Sequence, residues 1–271
     1  MDVIFIVEII LTGIGAGLFA GMFGIGGGII ILPVLILLFN WDIHLATGTS
    51  LAALLLPNNF IALNNYRKKN FLYIKGSIIA ALGMVFGNYF GATFALGVGG
   101  SIVMILFGVY LIISGVKYVR PIYVFNKFFR KIYKEEKEEI YTSIKDIKLH
   151  IFLIGGFGAG ILAGMFGIGG GLIITTILIS VYNIHPKQAV AISLAAMFLP
   201  VGIAGTVIYY NSGYINIAAA LLIALGIEVG SNISSRIALM MEKDIFKQVF
   251  GIFLFFLGIY FIYEGILEWR Y

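Results

Sequence analysis

The sequence predicts an all-α polytopic membrane protein made of two inverted-topology repeats, with helices broken or re-entrant at Gly-rich motifs. Three observations carry that prediction: an apolar composition, a glycine motif that occurs twice, and basic residues that switch sides between equivalent loops. Of the 271 residues, 61% are hydrophobic and 11% are charged, and the mean hydropathy is +1.04. Soluble domains carry roughly 25% charged residues, so this chain lacks the material for a polar shell. Outer-membrane barrels need alternating segments of about ten residues, and nothing here alternates. Several runs exceed the ~18 apolar residues that mark a spanning helix.

In the first half the apolar segments run over 3–20, 29–39, 43–64, 74–93 and 101–118, and in the second over 149–163, 172–182, 188–210, 215–235 and 246–266. The N-terminus carries Asp2 and Glu8 and lacks the positive n-region of a secretory signal. The first segment therefore reads as a retained helix. There are no cysteines, which removes disulfides, thiol catalysis and thiolate metal sites.

The repeat is direct. Gly15-Ala16-Gly17-Leu18-Phe19-Ala20-Gly21-Met22-Phe23-Gly24-Ile25-Gly26-Gly27-Gly28 returns 143 residues later as Gly158-Ala159-Gly160-Ile161-Leu162-Ala163-Gly164-Met165-Phe166-Gly167-Ile168-Gly169-Gly170-Gly171. The same offset pairs Ser50 with Ser193, Pro57 with Pro200, Gly83 with Gly226 and Gly108 with Gly251. The chain thus divides into a first transmembrane repeat (1–118), a charged cytoplasmic linker (119–148) and a second transmembrane repeat (149–271). Residues 117–148 hold nine of the eighteen Lys and Arg residues and five acids. Phe125, Phe128 and Phe129 would let this stretch rest on a membrane surface.

Charge sets the orientation. Lys and Arg near spanning helices stay preferentially on the cytoplasmic side, which places the linker, the Arg67 to Lys75 cluster and the Arg236 to Lys247 cluster inside. Their counterparts, Tyr210-Asn211-Ser212-Gly213 and Phe94 to Gly100, carry no charge. Equivalent loops with opposite charge signatures are what two oppositely inserted copies would show. An odd number of crossings per half is required, met by five spans or by three spans and a re-entrant hairpin. The expected location is the inner, cytoplasmic membrane of the cell.

Three successive glycines weaken a helix and admit positive φ. A break there frees backbone groups that lipid cannot satisfy, so the break must be buried in protein or line a wet cavity. The segment that follows, 29–39, is too short to span. A helix N-terminus offers N–H groups and a positive dipole end to an anion. Gly26, Gly27, Gly28, Gly169, Gly170 and Gly171 are therefore candidate substrate-binding residues; close helix packing is the other reading. Packing alone accounts for the rows Gly13, Gly17, Gly21 and Gly156, Gly160, Gly164. The G-x-G-x-x-A run at Gly15 matches a dinucleotide fingerprint, but no βαβ unit surrounds it.

The repeated G-x-G-x-x-A-G-x-x-G-I-G-G-G motif, Pro33, and the pattern Ala46, Thr49, Ser50, Leu51 resemble the TauE/SafE family across nearly the whole chain. The resemblance implies a membrane carrier of sulfite, organosulfonates or related sulfur-containing anions, generally moving them outward. The second copy departs from the first at Thr176, opposite Pro33, and Ile192, opposite Thr49. Unequal contributions of the halves to the site are expected.

Ionisable residues inside spans default to functional hypotheses. Glu228 is the only charge in 217–235 and is the candidate for proton coupling, against a structural carboxyl bonded to a neighbouring helix. Ser50 and Ser193 would supply hydroxyl donors to an anion, or bond back to their own helices. Asn58, Asn59 and Asn64 fall on one expected helix, with Asn88 and Asn232 near glycine rows. His44 and Lys187 share a repeat position at segment ends. The functional expectation is secondary active transport of a small anion by alternating access, coupled to H+ or Na+. A membrane scaffold and an intramembrane enzyme are the alternatives. No cofactor, no metal site and no nucleic-acid partner are expected; a homo-oligomer is left open.

Overall fold

The structure, a computed structural model, describes residues 3–23, 26–55, 60–119, 142–240 and 244–270. Among these residues it is helical, without strands. The helices are α1 (Val3–Phe23), α2 (Gly28–Phe39), α3 (Ile43–Leu55), α4 (Phe60–Arg67), α5 (Ile74–Gly97) and α6 (Gly100–Val119), followed by a 3-10 turn at Ile144–Asp146. Then come α7 (Leu149–Phe166), α8 (Gly171–Ser180), α9 (Pro186–Phe198), α10 (Ile203–Asn211), α11 (Ile217–Met240) and α12 (Asp244–Arg270). Five are long and apolar enough to cross a membrane: α1, α5, α7, α11 and the Gly251–Trp269 part of α12. Counting α3 with α4 and α9 with α10 as single spans raises the number to seven. The aromatic part of the linker, including Phe125, Phe128 and Phe129, lies outside the described residues.

Two expected single helices are in fact bent pairs. The 43–64 segment is α3 and α4, inclined at 52°, and the 188–210 segment is α9 and α10, inclined at 47°. Proline is the physical reason in the second half. Pro200 drives the residue before it out of the α region, and Leu199 is extended, with φ −75° and ψ 150°. Asn64 is thus on the short helix α4, while Asn58, Asn59 and Pro57 lie outside the described residues.

Compactness divides the chain differently from the repeat. One unit is Met1–Gly97 with Tyr141–Met240; the other is Val98–Ile140 with Met241–Tyr271. Each unit draws equivalent segments from both halves.

The first unit is organised by two helix pairs, α1 with α11 and α5 with α7. A Cβ on Gly13, Gly17 or Gly21 of α1 would strike the backbone of Ile223, Ile227 or Ser231 of α11. Gly156, Gly160 and Gly164 of α7 stand in the same way against Ala80, Met84 and Asn88 of α5. Every residue in the second set is 143 positions from its counterpart, so one packing arrangement is used twice. Residue numbers rise together along each pair, so the paired helices run parallel. In lipid no hydrophobic force drives helices together, and close backbone approach through small residues replaces it.

Two further contacts repeat. The Tyr66 hydroxyl donates to the Gly21 carbonyl at 3.2 Å, and the Tyr209 hydroxyl donates to the Gly164 carbonyl at 3.2 Å. Both rings are fully buried. By contrast Leu82, Phe86, Phe90 and Phe94 of α5 are exposed. Small residues inside and large apolar ones outside are the arrangement that a lipid solvent permits.

The second unit is α6 packed on α12. A Cβ on Gly108 would meet the Gly258 carbonyl oxygen at 2.6 Å, and one on Gly258 would meet the Gly108 carbonyl oxygen at 2.6 Å. Gly115 faces Gly251 in the same manner. Numbers rise along one helix as they fall along the other, so these two repeat equivalents are antiparallel. Phe107 and Phe261 close the seam edge to face, with centroids 5.1 Å apart.

Candidate substrate site at the paired helix breaks

The glycine motifs interrupt the helices where the sequence predicts. After α1 the chain passes through Gly26 at φ 79° and Gly27 at φ 81° before α2 begins at Gly28. After α7, Gly167, Gly169 and Gly170 have φ of 66°, 74° and 70°, and α8 begins at Gly171. These are left-handed conformations that only glycine adopts without strain. The half-helices that follow have 12 and 10 residues, about 18 and 15 Å at 1.5 Å per residue, short of a ~30 Å hydrocarbon core. Asn40 and Asn183, another pair at the repeat offset, take positive φ of 52° and 51° just beyond them.

The two breaks touch. A side chain on Gly28 would run into the Gly167 carbonyl and the Ile168 backbone. Met197 of α9 lies across both: its methyl occupies the space that a Cβ on Gly26 or on Gly169 would take. Leu54, its repeat equivalent on α3, approaches the same place at Gly169, 3.1 Å from such a Cβ. The breaks that precede α2 and α8 thus share one apolar cover. Neither Leu54 nor Met197 stands out in the sequence, because an apolar residue in an apolar helix carries no signal.

Ser50 and Ser193 are both fully buried at this junction. The Ser50 hydroxyl donates to the Gly167 carbonyl at 2.6 Å, joining α3 to the opposite half's break. The Ser193 hydroxyl donates to the Gly171 carbonyl at 3.2 Å. The Ser50 hydroxyl thus bonds across to the other half rather than back to its own helix, and the Ser193 bond reaches from α9 to the first residue of α8. In this conformation each hydroxyl bonds a glycine carbonyl at a break, which helps to hold the breaks in shape.

Glu228 sits at the middle of the 24-residue α11. Its carboxylate accepts the backbone N–H groups of Phe60 and Ile61, each at 3.2 Å. These are the first two residues of α4, whose N–H groups have no intrahelical partner. The equivalent helix of the second half, α10, is held differently: the Gly205 N–H donates to the Asn88 side-chain oxygen at 2.7 Å. Both bent helices are capped by a side chain from a long helix, one charged and one neutral.

The remaining candidates lie away from this junction. Asp42 accepts the N–H of His44 at 2.8 Å and caps α3, and the His44 ring lies tilted against Tyr214 with centroids 5.4 Å apart. The Lys187 ammonium donates to the Leu239 carbonyl at 3.1 Å, near the C-terminus of α11. That placement suits a cation at the negative end of a helix dipole. Asn232 has a buried side-chain oxygen without a hydrogen-bond partner among the described residues. Among the described residues no group of three His, Asp or Glu side chains converges as a metal site.

Residues 9–261 match the family described as sulfite exporter TauE/SafE. The chain belongs to the TauE/SafE family. A TauE/SafE assignment agrees with the relatives that it resembles. A probable membrane transporter protein of Methanocaldococcus jannaschii is 30% identical, with 91% of this chain and 94% of that protein covered. The probable membrane transporter protein YunE of Bacillus subtilis is 28% identical over 97% of this chain and 99% of its own length. YdhB, of the same bacterium and similarly named, is 25% identical over 89% and 93%. No solved structure matches the chain. The protein is a multi-pass membrane transporter, and the family and the relatives' names indicate a transporter rather than an enzyme.

Proposed function

We propose that this transporter carries a small anion, sulfite or a sulfonate or a related sulfur-containing anion, by alternating access between two inverted repeats. The observation that supports the reading most is the contact between the two glycine breaks. Two half-helices begin at one junction, where their unpaired N–H groups and positive dipole ends favour negative charge without a buried Lys or Arg. Gly26 to Gly28 and Gly169 to Gly171 would supply that backbone. Ser50 and Ser193 would set its shape, and Met197 and Leu54 would cover it. The antiparallel crossing of the repeat equivalents α6 and α12 supports opposite insertion of the halves. With the basic clusters and linker inside the cell, the site would face alternate sides of the cytoplasmic membrane.

Energy would come from an ion gradient. Glu228 is a carboxylate at mid-helix depth whose two oxygens both accept from α4. Adding a proton leaves only one good acceptor, so protonation would loosen α4 and tie proton uptake to helix movement. Radiolabelled sulfite uptake into proteoliposomes of purified protein, with and without an imposed pH gradient, tests both parts. Flux above that of empty liposomes is expected, and it should respond to the gradient. Folded protein that moves no sulfite would redirect the search to sulfonates and carboxylates.

A further inference from the structure

We propose that Asn88 is a substrate-binding residue whose side-chain N–H2 donates to the anion carried at the Gly169 break. The inference deepens the anion-transport reading and rests on it. Asn88 lies on α5 and is only 1% exposed. Its orientation is decided by a neighbour: the Gly205 N–H can only donate, so the side-chain atom 2.7 Å away is the oxygen. The amide nitrogen therefore faces away from α10, and it has no hydrogen-bond partner among the described residues. A donor without a protein partner on so buried a residue requires a reason.

The place it faces supplies one. Asn88 lines a small cavity with Gly169, Met197, Leu54 and Gly202, and it is the polar side chain in an otherwise apolar lining. As the chain stands, the cavity has room for about one water molecule. The cover is Met197, whose unbranched side chain changes rotamer easily. Turning it aside would join the cavity to both glycine breaks. The groups then facing the ligand are amide N–H donors without a formal charge, which suit the oxygens of a small oxyanion and repel a cation. The other half carries Ser231 at the equivalent position, and its hydroxyl donates to the Glu228 carbonyl at 3.3 Å. The donor therefore belongs to one half alone, which accords with the unequal halves expected from the sequence.

The test is thermal unfolding of the full chain in detergent against sodium sulfite, sodium methanesulfonate, sodium acetate and sodium chloride. Two variants are compared with the wild type. Asn88→Asp keeps the oxygen that holds Gly205 and replaces the donor with an acceptor. Asn88→Ser removes the amide without adding charge. The wild type should be stabilised by sulfite or methanesulfonate beyond the chloride control, and both variants should need at least tenfold more anion for the same shift. Stabilisation by acetate instead would support the donor while changing the class of anion to carboxylates. Equal response of wild type and variants would overturn the Asn88 assignment and leave the anion reading standing. A wild type indifferent to all three anions would overturn both.

Discussion

The Glu228 carboxylate accepts the backbone N–H of Ile61 at 3.2 Å across 167 residues of sequence. With the matching bond from Phe60, it makes a side chain of α11 the cap of α4. The sequence offers two readings of Glu228, a proton carrier and a structural carboxyl. The geometry supplies the second and leaves the first to experiment.

Glu228→Gln keeps one accepting oxygen and places an amide group beside the other N–H. The charge-assisted part of the cap is lost, which should cost about 1–2 kcal/mol. Glu228→Ala, which leaves both N–H groups bare, should cost more. Thermal unfolding in one detergent orders the three proteins. In proteoliposomes, proton coupling through this group requires the pH dependence of flux to disappear in Glu228→Gln; an unchanged dependence would leave Glu228 as a cap alone.

Neighbouring glycines of α1 should behave in opposite ways. A Cβ on Gly13 would strike the Ile223 carbonyl, whereas one on Gly15 would meet nothing within 4 Å. Gly13→Ala should destabilise by roughly 1–3 kcal/mol through overpacking. Gly15→Ala should be neutral or stabilise by up to about 1 kcal/mol, since alanine is the better helix former. Gly160→Ala and Gly158→Ala should repeat the contrast on α7, where the first meets the Met84 carbonyl and the second open space. Unfolding temperatures of the four variants decide it.

Gly27→Val and Gly170→Val place a branched side chain at φ 81° and 70°, in a left-handed region that costs L residues roughly 1–2 kcal/mol. The new Cβ would also press on the Ala16 carbonyl at 3.0 Å in one case and the Ala159 carbonyl at 2.8 Å in the other. Transport should be abolished while expression and a folded elution profile persist. Normal flux in either variant would remove the break from the transport mechanism.

Tyr66→Phe and Tyr209→Phe each delete one buried hydroxyl and leave a glycine carbonyl without that donor. Each should cost about 1 kcal/mol. Because the two sites are the same contact in the two halves, the losses should agree within a few tenths of a kcal/mol. A large difference in unfolding temperature between the two would mean that the halves carry unequal shares of stability.

Much of this architecture is legible in residues that stand 143 apart. The breaks at Gly26–Gly28 and Gly169–Gly171 are visible because successive glycines disrupt a helix wherever they occur. The packing rows at Gly13, Gly17 and Gly21 are visible because every fourth residue shares a helix face. The bends within 43–64 and 188–210 are less so, since Pro200 marks a break but not its angle. Tyr66 and Tyr209 were available as an identical pair at the repeat offset, and only their partners Gly21 and Gly164 required the fold.

By itself, then, the sequence determined the membrane solvent, the twofold repeat, the positions of the glycine breaks and the family. Each follows from composition or from short-range backbone chemistry, which act over a few residues. The tertiary structure decided what the breaks meet: Gly28 against Gly167, Met197 over both, Glu228 on α4 and Asn88 on α10. Those contacts join segments more than 100 residues apart or on opposite sides of a break. They depend on which helix faces are paired, and an apolar helix with a lipid-facing side does not announce which face that is.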